Sequence, residues 1–96
     1  MGVVAGTAFA AGLAVGDVVR RRIGLHHRLR DAGERVVLEL PDREISLPAF
    51  TGAALRALLG GDPVVVGSLP EMEEADQVVL VRRLLREGVV VPAVST

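Results

Sequence analysis

The chain predicts an α+β domain: a small antiparallel sheet, then about three helices, then a C-terminal strand. Three observations carry that reading. Apolar side chains alternate with a period of two through much of the stretch from Asp17 to Leu47. Beyond Pro48 they recur at spacings of three and four, in residues 49–59 and again in 71–87. Gly60-Gly61, Pro70, Gly88 and Pro92 then cut the second half into separate elements.

Composition bounds the class. Ninety-six residues suffice for one domain with one modest core. Half are hydrophobic, which argues against disorder over most of the chain. Two Phe and no Tyr or Trp leave no aromatic platform for single-stranded nucleic acid. A formal net charge of −1 argues against a dominant phosphate-binding surface. All eleven basic residues are arginine, a bias read first as that of a GC-rich genome. The absence of cysteine excludes disulfides and thiolate metal sites. No apolar run reaches the roughly 18 residues of a membrane span. The expectation is a cytoplasmic protein without a membrane segment.

The elements follow in order. Residues 1–16 carry no charged side chain, and glycines at 2, 6, 12 and 16 weaken any helix there. Ala8-Phe9-Ala10 has the form of a signal-peptidase site, but the positive start of a signal peptide is missing. We expect a loose or partner-bound arm over 1–16 and a single domain over 17–96. From Asp17, Val19 and Ile23 are expected to face one way and Arg20 and Arg22 the other. Leu25, His27 and Leu29 then alternate with His26, Arg28 and Arg30. Asp31-Ala32-Gly33-Glu34 has the composition of a hairpin turn. Val36, Leu38 and Leu40 are expected inward, with Arg35 and Glu39 outward. Pro41-Asp42-Arg43 turns the chain into a short strand, Glu44-Ile45-Ser46-Leu47, with Ile45 and Leu47 inward.

Pro48 suits the first position of a helix. Phe50, Ala54, Ala57 and Leu58 form its predicted apolar stripe, and Gly60-Gly61 ends it. Val64-Val65-Val66 is extended, and Gly67-Ser68-Leu69-Pro70 has room for one helical turn. The longest helix spans Glu71 to Glu87. Glu71, Glu73, Glu74 and Asp76 at its start and Arg82, Arg83 and Arg86 at its end complement the helix dipole. At 100° per residue, Leu80, Leu84, Val81, Leu85 and Val78 cover one arc, expected to face Phe50 and Leu58. Met72 and Val79 fall among the arginines on the outer face. Gly88 can take the left-handed conformation that closes a helix. Val89-Val90-Val91 follows as a strand stopped by Pro92.

Three segments, LPAFTGAALRALLGG (47–61), VGSLP (66–70) and DQVVLVRRLLREGVVVP (76–92), together resemble the C-terminal winged-helix domain of bacterial cupin-type JmjC oxygenases, the group that includes the ribosomal-protein hydroxylases. The resemblance covers about residues 18 to 93 and implies a winged helix-turn-helix-like fold. It implies an accessory role in packing, dimer support or partner contact. Catalysis does not carry over: the oxygenase iron site needs a His-x-Asp/Glu pair in a separate domain. Here the positions two beyond His26 and His27 hold Arg28 and Leu29. The order of three strands then three helices is also similar to the leader-peptide recognition modules of peptide natural-product biosynthesis. There the leader lies as an added strand beside the third strand and against the third helix.

One adjacent His pair without Cys or clustered carboxylates is a poor ligand set. We expect His27 at the core edge and His26 in solvent. Arg20-Arg21-Arg22 with Arg28 and Arg30 could grip phosphates; nearby acids favour a salt-bridged sheet surface instead. The acids of residues 71–76 read as dipole complement rather than paired catalytic carboxylates. Ser46, Ser68 and Ser95 have no histidine in a suggestive motif, so no nucleophile is assigned. The expectation is therefore a protein without catalytic residues, metal or cofactor, acting as an interaction module. Its partner-binding residues are predicted as Glu44, Ile45, Ser46, Leu47, Met72, Val79, Arg82, Arg83 and Arg86. The partner is expected to be a protein, a peptide or a second copy. A DNA-binding regulator is the reading that the charge balance disfavours.

Overall fold

The computed structural model describes residues 12–93, which form two three-stranded antiparallel sheets and two α-helices. One sheet is a meander of β2 (Arg28–Ala32), β3 (Arg35–Leu40) and β4 (Arg43–Pro48), in that spatial order. Its first turn places Gly33 at φ +71°, the left-handed region in which a residue lacking Cβ is unstrained. Val36, Leu38, Ile45 and Leu47 point from this sheet into the core. In the second sheet β1 (Val18–Arg21) is flanked by β5 (Val64–Val65) and β6 (Val90–Pro92), so the chain's two halves are stitched together through β1.

Helix α1 (Gly52–Leu58) follows a 3₁₀ turn over Ala49–Thr51. A second 3₁₀ turn, Val66–Ser68, stands where the sequence allowed one helical turn. Helix α2 (Glu74–Arg86) is the longest element. Leu80, Val81, Leu84 and Leu85 are buried on it, as the wheel predicts, and Val78 is half-buried. Gly88 closes it at φ +77°.

Five expectations change. The predicted single sheet is two sheets, and about three helices become two α-helices and two 3₁₀ turns among the described residues. The strand expected to run through Ile23 breaks: Leu25 N–H bonds back to the Arg22 carbonyl at 3.2 Å, Gly24 takes φ +78°, and Ile23 is 80% exposed. The stripe on α1 shifts. The 3₁₀ start carries more rotation per residue than an α-helix, so Phe50 turns outward, 54% exposed, while Thr51, Ala54, Leu55 and Leu58 face the core. Ala57 is exposed as well. Finally, residues 13–15, expected within the uncharged arm, contact the rest of the domain. Leu13 is buried and the Val15 carbonyl accepts the Gly67 N–H at 2.8 Å. Residues 1–11, including Ala8-Phe9-Ala10, and 94–96, including Ser95, lie outside the described residues.

Gly67 makes that last contact possible. A Cβ at this position would lie 3.0 Å from the Val15 carbonyl oxygen and 3.2 Å from its Cβ. The arginine run also has a structural role that sequence patterning missed. Arg21 donates to the Leu59 carbonyl at 2.7 Å and Arg22 to the Gly88 carbonyl at 2.7 Å. Each therefore satisfies an orphan carbonyl beyond the end of one helix, where cations complement the dipole. Only part of the predicted salt-bridged surface forms, with Arg30 on Glu39 and Glu44.

Candidate functional site

A groove of about 350 Å³ runs between the end of β4 and the outer face of α2. Leu47, Pro48, Phe50 and Thr51 line one wall, and Met72, Asp76, Val79, Leu80, Arg82, Arg83 and Arg86 line the other. Its floor is apolar and its α2 rim is cationic with one carboxylate. Phe50 and Val79, 54% and 62% exposed, both face it. Exposed apolar side chains gathered at a concavity mark contact surfaces more often than solvated ones.

The chain builds each wall from local rules. Pro48 has no N–H to extend the β3–β4 ladder. It hands the chain to the 3₁₀ turn, which swings Phe50 out, and its carbonyl accepts the Thr51 hydroxyl at 2.7 Å. On the other side Glu71 adopts φ +60°, a conformation uncommon for a residue with Cβ, and the chain reverses into Met72. Gln77 then pins that reversal. Buried at 3% exposure, it accepts the Leu69 N–H at 2.8 Å and donates to the Met72 carbonyl at 2.8 Å. The segment leading into α2 is thus held by one amide, a buried polar group satisfied at both ends.

An ion pair ties β4 to the residue that follows α2. Arg43 on β4 donates to the Glu87 carboxylate at 3.0 Å, and its guanidinium also reaches the Glu87 backbone carbonyl. Arg83 donates to the same carboxylate at 3.1 Å. The Arg83 hydrogen bond, together with Arg43, holds the Glu87 carboxyl below the usual glutamate range, against the opposing effect of partial burial.

Strand β4 forms one edge of its sheet. Ala49 N–H donates to the Glu34 carbonyl, which makes Arg35–Pro48 a non-hydrogen-bonded pair. Pair types alternate, so the backbone groups of Glu44 and Ser46 point away from β3 toward the free edge, while those of Ile45 and Leu47 are spent on the ladder. Arg35 partly guards that edge. It donates to the Ser46 hydroxyl at 3.0 Å and to the Ser46 carbonyl at 2.9 Å.

The predicted contact residues therefore divide. Leu47, Met72, Val79, Arg82, Arg83 and Arg86 meet at the groove. Glu44 and Ser46 present the open edge beside it. Ile45 does not join them, because its side chain is 2% exposed in the core and its backbone faces β3. Sequence reasoning missed Pro48, Phe50, Thr51, Asp76 and Leu80 in the lining and Arg35 at the edge. Only Asp76 had a signal that could have found it, three residues before Val79 on the same helix face.

Other candidates stay apart from the groove. His26 is exposed and His27 half-buried, with Nδ1 3.2 Å from the Leu25 carbonyl oxygen. Among the described residues no three His, Asp or Glu side chains gather as a metal site, and no helix is long and apolar enough to cross a membrane. No protein-family model matches the chain, and no curated protein matches it.

Proposed function

We propose that this chain is a non-catalytic interaction module of winged-helix type, which meets a polypeptide partner through the groove between β4 and α2. One observation carries this: Phe50 and Val79, distant in sequence and both largely exposed, face the same concavity beside arginines. Arginine with apolar and aromatic neighbours is the composition of a protein interface core. A phosphate-binding face fits less well, since the Asp76 carboxylate shares the rim and the chain's net charge is −1. On the resemblance to cupin-type JmjC oxygenases, the module is an accessory or dimerisation domain. The double variant Val79→Glu with Arg83→Glu tests the reading. It should lose association in light scattering and pull-down while keeping wild-type circular dichroism. Association at wild-type strength would mean that the groove is not the interface.

The open backbone of Glu44 and Ser46 favours a second reading, capture of an extended peptide, such as a leader peptide, as a strand added to β4. Genomic context separates the two. An adjoining oxygenase reading frame supports the first, and a precursor peptide with a modifying enzyme supports the second.

A further inference from the structure

We infer that the occupant of the α2 face is a second copy of this chain, with the two α2 helices packed antiparallel about a two-fold axis beside Val79. The inference rests on the groove being a protein interface, and it commits that interface to one partner.

An interface between identical copies must be self-complementary, because each residue meets the surface that its own chain also presents. The α2 face meets this condition in one direction only. Asp76 and Arg83, both exposed and both lining the groove, are seven residues apart and so lie two turns apart on one stripe. With Val79 as origin, Asp76 sits about 4.5 Å toward the helix start and Arg83 about 6 Å toward its end. Both lie on the same side of Val79, displaced by about 60° and 40° around the helix. An antiparallel two-fold pairing reverses direction along the axis and keeps the side. It therefore sets each Asp76 against Arg83 of the other copy, twice per dimer. Val79 meets Val79 at the centre, removing from water the one large apolar side chain exposed on the helix. Met72, just ahead of the helix, falls near the aliphatic stem of Arg86 of the other copy. A parallel two-fold pairing would set Asp76 level with Asp76 and Arg83 level with Arg83 on opposite flanks, and so would form neither Asp76–Arg83 pair.

The existing Arg83–Glu87 contact does not consume the arginine. That pair is partly solvated, with the Arg83 side chain 49% exposed, and a guanidinium carries five donors. The carboxylate of Asp76 makes no ion pair among the described residues.

Sedimentation equilibrium on full-length protein tests the geometry, using wild type, Val79→Glu, Asp76→Arg, Arg83→Asp and the combined Asp76→Arg/Arg83→Asp chain. Wild type should dimerise, and each single reversal should weaken the dimer at least about tenfold. The combined chain should regain it. An equimolar mixture of the two single variants should form a heterodimer, since one copy is then basic at both positions and the other acidic. That rescue also shows that both variants are folded. A wild-type monomer at all concentrations would overturn the inference, and the groove would then await a different polypeptide. A dimer lost in Val79→Glu but indifferent to the reversals would overturn the antiparallel geometry and leave the groove as interface. A dimer unchanged in every variant would overturn both readings.

Discussion

Arg43 and Glu87, 44 positions apart, join the N-terminal end of β4 to the C-terminal end of α2 through a 3.0 Å side-chain hydrogen bond. A second bond runs from the same guanidinium to the Glu87 carbonyl. Arg83, which lines the groove, donates to the same carboxylate, so the pair ties β4 to the end of α2 through a residue of the groove wall.

The pair makes stability pH-dependent in a defined direction. Glu87 has a depressed pKa in the folded chain, so the unfolded chain binds the proton more readily. Its contribution is fully present above the ordinary glutamate pKa of about 4.3 and is lost as pH falls through the lower folded value. Glu87→Gln should remove that component, so denaturant melts of variant and wild type should differ at neutral pH and converge in acid. A difference independent of pH would contradict the assignment.

Core truncations should be far more costly than changes on the outer face. Leu58 and Leu84 are both fully buried. Leu58→Ala or Leu84→Ala should each destabilise by roughly 2–5 kcal/mol. Arg83→Ala should fall within about 0.5 kcal/mol of wild type. Denaturant midpoints in the reverse order would mean that α2 presents its other face to the core.

Gln77 should matter more than its composition suggests. Gln77→Leu keeps the volume but leaves the buried Leu69 N–H without its acceptor. We expect a loss of about 1–3 kcal/mol, the cost of an unsatisfied buried donor. Amide exchange at Leu69 should accelerate more than global unfolding explains. Unchanged protection at Leu69 would show that the bond is dispensable.

Arg35→Ala should uncover the β4 edge. It removes both bonds to Ser46 and frees a carbonyl at the middle of an open strand. Open edges recruit further strands. Light scattering at high concentration should therefore show a larger average mass than wild type, with unchanged circular dichroism. An equal mass would mean that Arg35 does not guard this edge.

Much of this architecture is legible in the chain because burial imposes a period. The alternation of Val36, Leu38, Ile45 and Leu47 and the α2 arc of Leu80, Val81, Leu84 and Leu85 follow from that rule, and both reappear in the core. Positive φ at Gly33 and Gly88 follows from residue type. What escapes is non-local or non-helical in the ordinary sense. Phe50 turns outward because three residues are 3₁₀ rather than α, a difference that apolar spacing does not encode. Ile23 fits a strand pattern until Gly24 breaks it. The carbonyl contacts of Arg21 and Arg22 depend on where both helices end. The α2 half of the groove was readable from one helix face. Of its other wall only Leu47 was readable, because Pro48, Phe50 and Thr51 join it only when the end of β4 and its 3₁₀ turn arrive opposite that face.

The most direct measurement is a dilution series followed by amide NMR. If the groove is the contact surface, and a second copy its occupant, shifts between concentrated and dilute protein should cluster at 46–51 and 72–86, with Val79 among the largest. The β5 strand, the β6 strand and the exposed turn at Ile23 should stay fixed. Changes centred on those other elements, or none anywhere at concentrations well above the micromolar range, would contradict the account.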